Sequence, residues 1–420
     1  MSRESRFAVL AIALTAAVLG IYLVMALRFP VAYLMGTYED LYGEWLQFFL
    51  FAAAMVFSLR VVFSPSRYRL FFAVLALACF YVTMEEISWG QRIFGWSSPE
   101  FFKTRNIQGE TNLHNFLVGP VRTTAKSLVE YLLAGALLLY GVAYPALLWR
   151  KNAAAAWLDR RGLASPPLSL SPCFAAAALL ELGPFMFNEA EVAEILLGFA
   201  MAAMAIRYAA AARGRDGSAA AMLLAAVLAA GTLAAAATVG FTSSPVARAK
   251  TDARIDRGMA KFARRYARIG QWETAISLYE RLAAAKPQSS SVRRSLADAN
   301  REAGDSEAFR HWAGEALSLD LERLEKRPSS PALNRSLAKT YSLLEEDAQA
   351  AAHAAKALEL DLKKVARYPE SSSAAYSLAL SYQLQGKDGA AMEEFRRAYE
   401  IDPGNSKYRK AWFTARAKDR

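Results

Sequence analysis

A chain of 420 residues, 54% hydrophobic with a mean hydropathy of +0.13, combines apolar runs of membrane length with a net charge of +11. The runs exclude an ordinary soluble domain. Two cysteines, Cys79 and Cys173, both inside such runs, exclude a disulfide framework and a zinc spacing.

The N-terminal MSRESR precedes a 21-residue apolar stretch, Phe7 to Leu27. A cleaved signal sequence carries about 7–15 apolar residues, so a retained transmembrane helix is expected. Further spans are expected at 43–59, 69–89, 127–149, 168–187, 189–211 and 218–240, with a tight hairpin from Gly183 to Asn188 joining the fifth and sixth. Residues 1–244 thus form a polytopic domain of seven helices. Its short loops carry twelve Lys and Arg on the side of the N-terminus against six on the other. The positive-inside rule makes the N-terminus cytoplasmic and puts the C-terminal half in the periplasm, in a bacterial inner (cell) membrane.

The third span ends in MEEISWGQRIFGW. The uncharged run before Glu85 and Glu86, Leu70 to Met84, is fifteen residues, or about 22 Å of helix. The hydrocarbon core is about 30 Å thick, so both carboxylates fall at membrane depth. Glu181 lies deep in its own span, and the sixth span can cross only by including Glu191 and Glu194, three apart on one face. Within the outer loop, 90–126, Ser98 as cap and Pro99 at the first helical position start an interfacial helix. The loop then carries Glu110 and His114, four apart and on one face if helical.

Three readings of this acidic end stand side by side. The carboxylates serve caps and ion pairs, with Asn188 capping the sixth span and Arg92, Arg28 or Arg105 as counter-charge. Alternatively, Glu86, Glu110, His114, Glu181, Glu191 and Glu194 hold a hard divalent cation, Mg²⁺, Ca²⁺ or Mn²⁺. In the third reading Glu85, Glu86, Glu110 and His114 are catalytic, as general acids and bases. No GxSxG, P-loop or HExxH names a reaction. The stretch EEISWGQRIFGW with the downstream ETNLHN resembles a segment of uncharacterised bacterial multi-spanning membrane proteins; the resemblance brings no known activity.

From Pro245 onward Lys and Arg number 32 against 24 Asp and Glu, a balance that suits acidic partners and is no nucleic-acid signal by itself. YARIGQWETAISLYERLAAAKP (266–287) and YQLQGKDGAAMEEFRRAYEIDP (382–403) align without a gap through Tyr266, Gly270, Ala275, Tyr279 and Pro287, and Tyr382, Gly386, Ala391, Phe395 and Pro403. Two looser copies lie between, one with Asn300 in place of the tyrosine and one with Glu345 in place of the glycine. The pattern resembles the tetratricopeptide (TPR) repeat, which implies stacked antiparallel helix pairs and a groove that binds peptides. The chain is therefore expected to be all-α, a seven-helix transmembrane bundle followed by a TPR solenoid over 245–406 and a capping helix over 407–420. Seven extra residues in each looser copy should lengthen its second helix by about two turns.

On this register the groove carries Arg257, Arg264, Arg268, Arg294, Arg301, Arg335 and Lys339, with Tyr376 at its end. Such a groove suits an acidic protein, peptide or glycan, or an anionic lipid headgroup. Two functions compete: a scaffold of envelope or polysaccharide/lipid assembly that recruits a partner to the acidic pocket, and a membrane enzyme acting on a lipid or lipid-linked glycan through the glutamates and His114.

Overall fold

The computed structural model describes residues 3–38, 41–105, 111–112, 124–214 and 216–418. These residues form helices and connecting turns, with no strand among them. The chain divides into two units, Met1–Trp96 with Thr124–Gly258, and Ser97–Thr123 with Met259–Arg420.

In the first unit, α1 (Arg3–Arg28), a short α2 (Pro30–Thr37) and α3 (Tyr42–Val62) lead to α4 (Arg69–Glu86) and α5 (Gln91–Phe94). After α6 (Glu100–Arg105), which groups with the second unit, α7 (Thr124–Leu138) continues through a π-turn into α8 (Tyr144–Trp149). Then come α9 (Ala153–Arg160), α10 (Ser171–Glu181), α11 (Glu189–Ala211) and α12 (Ala219–Thr242). Among the described residues five helices are long and apolar enough to cross a membrane: α1, α3, the Ser127–Trp149 rod, α11 and α12. A sixth results if α4 and Ser88–Phe94, bent by 60°, count as one span.

The expected fifth span is shorter than the sequence suggests. Leu168–Glu181 is the apolar helix there, and its fourteen residues cover about 21 Å. The chain beyond it turns through Gly183, Met186 and Asn188, all at positive φ. Seven full-length spans are therefore not what the helices display.

Helix α11 is central: 72% of its apolar window is buried, against 22–39% in the other four long helices. Small residues allow close approach elsewhere. A Cβ on Gly43 would stand 2.1 Å from the Gly36 carbonyl oxygen, and one on Gly141 would stand 2.1 Å from the Phe174 ring. Leu23, Val74, Leu77 and Leu132 leave 60–69% of their surface exposed, as do other large apolar side chains of this unit.

The second unit begins within α13 (Pro245–Arg268). The division falls at Gly258 rather than at Pro245, because Pro245 opens a helix and nothing breaks it before Arg268. Then follow α14 (Trp272–Ala285), α15 (Ser290–Glu302), α16 (Ser306–Lys326), α17 (Pro331–Leu343), α18 (Asp347–Arg367), α19 (Ser372–Leu384), α20 (Asp388–Ile401) and α21 (Ser406–Lys418). The odd-numbered helices α15, α17 and α19 each start at a serine cap, Ser289, Ser330 and Ser371, whose hydroxyl accepts the N–H three residues on. Each pair turns at a left-handed residue: Gly270, Gly304, Glu345 and Gly386. Helices α14 and α20 have 14 residues, while α16 and α18 have 21. The result is a TPR-like array of helix pairs with the two-turn extension where the sequence predicts it.

Candidate functional site

The acidic end of the first unit is built by a break in the backbone. Helix α4 stops at Glu86, and Ser88, Trp89 and Gly90 follow at φ of 47°, 55° and 89°. Left-handed non-glycine residues cost about 1–3 kcal/mol each and persist only where the surroundings enforce them. Here the Trp89 indole N–H donates to the Glu85 carboxylate at 2.6 Å. The turn is why the span ends at its two glutamates.

Glu86 lies within electrostatic reach of Glu44, Glu191, Arg92 and Glu85, and Glu194 within reach of Glu191, Glu86, Glu181 and Glu44. The structure thus brings Glu85, Glu86, Glu181, Glu191 and Glu194 to one end of the bundle. Glu44 and Gln47 join them. Arg92 pairs with Glu44 at 2.5 Å. The Gln47 amide, fully buried, donates to the Glu191 carbonyl at 3.0 Å and to its carboxylate at 3.1 Å, and its own Oε1 has no hydrogen-bond partner among the described residues. Glu44 is one of the acids that the sequence places at the outer ends of the spans; Gln47, three residues on along the same helix face, is the residue that sequence reasoning passed over.

Asn188 is not the cap expected of it. It sits at φ 60°, and its amide donates to the Thr37 carbonyl at 3.1 Å. The buried Glu189 carboxylate gathers the turn instead, accepting the N–H groups of Phe185, Met186 and Phe187. Glu110 and His114 lie outside the described residues. Among the described residues no group of three or more His, Cys, Asp or Glu side chains is arranged to hold a metal ion.

The basic face of the second unit is divided into two kinds of cation. Arg294 donates to the buried Asp320 at 2.9 Å and to the hydroxyls of Ser336 and Thr340, 42 and 46 residues on. Arg335 repeats the arrangement with Asp361 at 2.5 Å, Ser377 and Ser381 at the same intervals. Asp320 and Asp361 are fully buried. Both arginines hold consecutive repeats together, and Arg294 also lines a cleft on this face. Burial lowers the Arg294 pKa, and the Asp320 charge opposes that shift.

Tyr376 takes the corresponding place in the last repeat. It packs against Phe395 and Tyr408, with the Lys407 ammonium 4.2 Å from its ring. It seats the final helix. Arg257 falls in the first unit, whereas Arg264 and Arg268 are exposed on the second-unit part of α13.

What remains is a cleft of about 340 Å³ lined by Arg294, Asp298, Arg301, Lys339 and their neighbours. Arg301 is paired with Asp298 at 2.7 Å. Lys339 has no ion-pair partner among the described residues. Loss of solvation in the cleft, then the charges of Arg294 and Arg335, push its pKa below the usual lysine range.

No protein-family model and no curated protein matches the chain, so the resemblance of its EEISWGQRIFGW segment finds no support there. Solved structures are similar in part. A thermophilic TPR protein of Thermus thermophilus, TTC0263, is 19% identical over 47% of this chain and 94% of its own, at a TM-score of 0.23. MamA 41-end from Desulfovibrio magneticus RS-1 is 18% identical over 39% and 85%, at 0.19. The human IFIT1 dimer structure with PPP-AAAA is 16% identical over 84% and 94%, at 0.17. With scores this low, the repeat fold rests on the helix pairs themselves.

Proposed function

We propose that the chain is a multi-pass protein of a bacterial inner membrane whose TPR-like unit, on the periplasmic side, recruits an acidic partner in envelope or polysaccharide/lipid assembly. The carrying observation is Lys339, which has no ion-pair partner among the described residues, in a cleft lined also by Arg294, Arg301 and the Asp298 that pairs with Arg301. An incoming carboxylate restores the solvation that Lys339 gives up there. The membrane placement is supported by the long apolar helices and by their exposed large side chains, an amount of apolar surface that water-soluble monomers rarely display. Seven segments cross in this reading, the short α10 included.

The test is titration of the full chain in detergent with glutamate-rich and lysine-rich peptides at two salt concentrations. The acidic peptide should bind, more weakly at high salt, and Lys339→Glu should abolish binding. Binding indifferent to peptide charge and to Lys339→Glu would overturn the recruitment role. A periplasm-active reporter fused after Arg420 should be active; activity only after Arg161 would reverse the topology.

A second reading is favoured by Gln47, whose buried amide holds Glu191 and leaves an acceptor unused. Buried polar groups placed this way serve chemistry as readily as packing. In this reading the carboxylates act on a lipid or lipid-linked glycan. Glu86→Gln should then abolish function while Glu100→Gln leaves it intact; equal effects would remove the enzymatic reading.

A further inference from the structure

At the opposite end of α11 from its glutamates lies a second cleft, of about 430 Å³, whose lining includes Glu4, Phe7, Ala8, Leu168, Arg207 and Tyr208. Its walls are of two kinds. Phe7 and Ala8 with Leu168 form an apolar side, and Arg207 and Glu4 are the charged residues. These two pair at 2.9 Å, yet unequally: the Arg207 side chain is 20% exposed and that of Glu4 is 81% exposed. Tyr208 is occupied, its hydroxyl donating to the Ser165 carbonyl.

Position along α1 orders the lining. From Glu4 the helix runs inward to Phe7 and Ala8, about 4.5–6 Å deeper by helical rise. The exposures put Arg207 at the buried side of the charged pair and Glu4 at the mouth, with apolar residues in the same lining. We propose that this cleft binds the headgroup of a phospholipid carrying a primary ammonium, with its phosphate on Arg207, its ammonium on Glu4 and its first acyl carbons against Phe7, Ala8 and Leu168. The inference rests on the membrane reading above.

The charge order selects the ligand. A zwitterion with its phosphate inboard and ammonium outboard gives each member of the Arg207–Glu4 pair an opposite charge of its own. A glycerol headgroup puts the same phosphate on Arg207 but brings no cation, so Glu4 meets only neutral hydroxyls. A choline headgroup brings a cation without an N–H, so it cannot donate to the Glu4 carboxylate.

The experiment reconstitutes the full chain into bilayers of equal phosphatidylethanolamine and phosphatidylglycerol, re-extracts it gently and quantifies the retained lipid. Phosphatidylethanolamine should be enriched over its share of the bilayer. Glu4→Gln, at an exposed position with little influence on folding, should lower that enrichment about threefold, the scale of one solvent-facing charge pair. Arg207→Gln should lower retention of both lipids. Retained lipid in the bilayer ratio, or enrichment unchanged by Glu4→Gln, overturns the proposal while leaving a detergent-requiring membrane protein in place. A chain that stays monodisperse without detergent removes the membrane reading and this inference together.

Discussion

Arg335 reaches the fully buried carboxylate of Asp361, 26 residues further along the chain, and the same guanidinium bonds the Ser377 carbonyl and the Ser381 hydroxyl of the next repeat. The pair is thus a cross-repeat fastener. Asp361→Ala leaves Arg335 without its counter-charge and should lower the stability of this region by roughly 3–5 kcal/mol. The double change Arg335→Met with Asp361→Leu should recover most of the loss, because two apolar side chains need no partner. Hydrogen exchange of the α17 and α19 amides in the full chain measures both.

Glu345 holds the left-handed turn that Gly270, Gly304 and Gly386 hold in the other pairs, at φ 61°. Glu345→Gly should stabilise the α17–α18 pair by about 1 kcal/mol, the lower end of the strain of a non-glycine residue there. The glycine's greater unfolded-state entropy is already set against that relief. Exchange of the same amides should slow, and unchanged or faster exchange would count against strain at this turn.

Lys339 couples recruitment to pH. Its pKa is lowered in the free fold, so between that value and the ordinary lysine value the unfolded chain binds more protons than the folded one. Without a ligand, this group's contribution to stability therefore rises with pH across that window. An acidic ligand favours the charged ammonium. Affinity should be full below the lowered pKa and fall as pH rises through it, earlier than for an ordinary surface lysine. Lys339→Arg, which keeps its charge, should flatten the profile. Calorimetric titration of the full chain with a glutamate-rich peptide over a pH series is the measurement.

Gly43 and Gly20 separate close packing from mere composition. An alanine at 43 meets the Gly36 carbonyl, a backbone atom that cannot rotate away, whereas nothing lies within 4 Å of a Cβ at 20. Gly43→Ala should cost about 1–3 kcal/mol or more through displacement of α2 from α3. Gly20→Ala should be neutral or slightly stabilising. Thermal unfolding of the two variants in the same detergent compares them.

Much of the repeat array was legible because its signals are local. Glycine at a left-handed turn and small residues between paired helices each follow from backbone geometry. The long α16 and α18 followed from counting residues between copies. The partners of Arg294 and Arg335 were not legible, since a basic residue on a repeat helix looks the same whether it meets a ligand or an aspartate 26 residues away. At the acidic end, the depth of Glu85, Glu86, Glu181, Glu191 and Glu194 followed from helix length. The left-handed turn at Ser88–Gly90 did not, because serine and tryptophan carry no preference for it. Gln47 was equally hidden, being uncharged in an apolar run.

The equal intervals of the two fasteners bear on how the array can vary in length. Arginine, aspartate and both hydroxyl partners recur in step, so each module carries the plug for one neighbour and the socket for the other. A duplicated segment covering 331–371, inserted in frame after Ser371, would find its contacts ready on both sides. The array can therefore be lengthened one module at a time without redesign of its joints, while loss of part of a module would strand a buried aspartate.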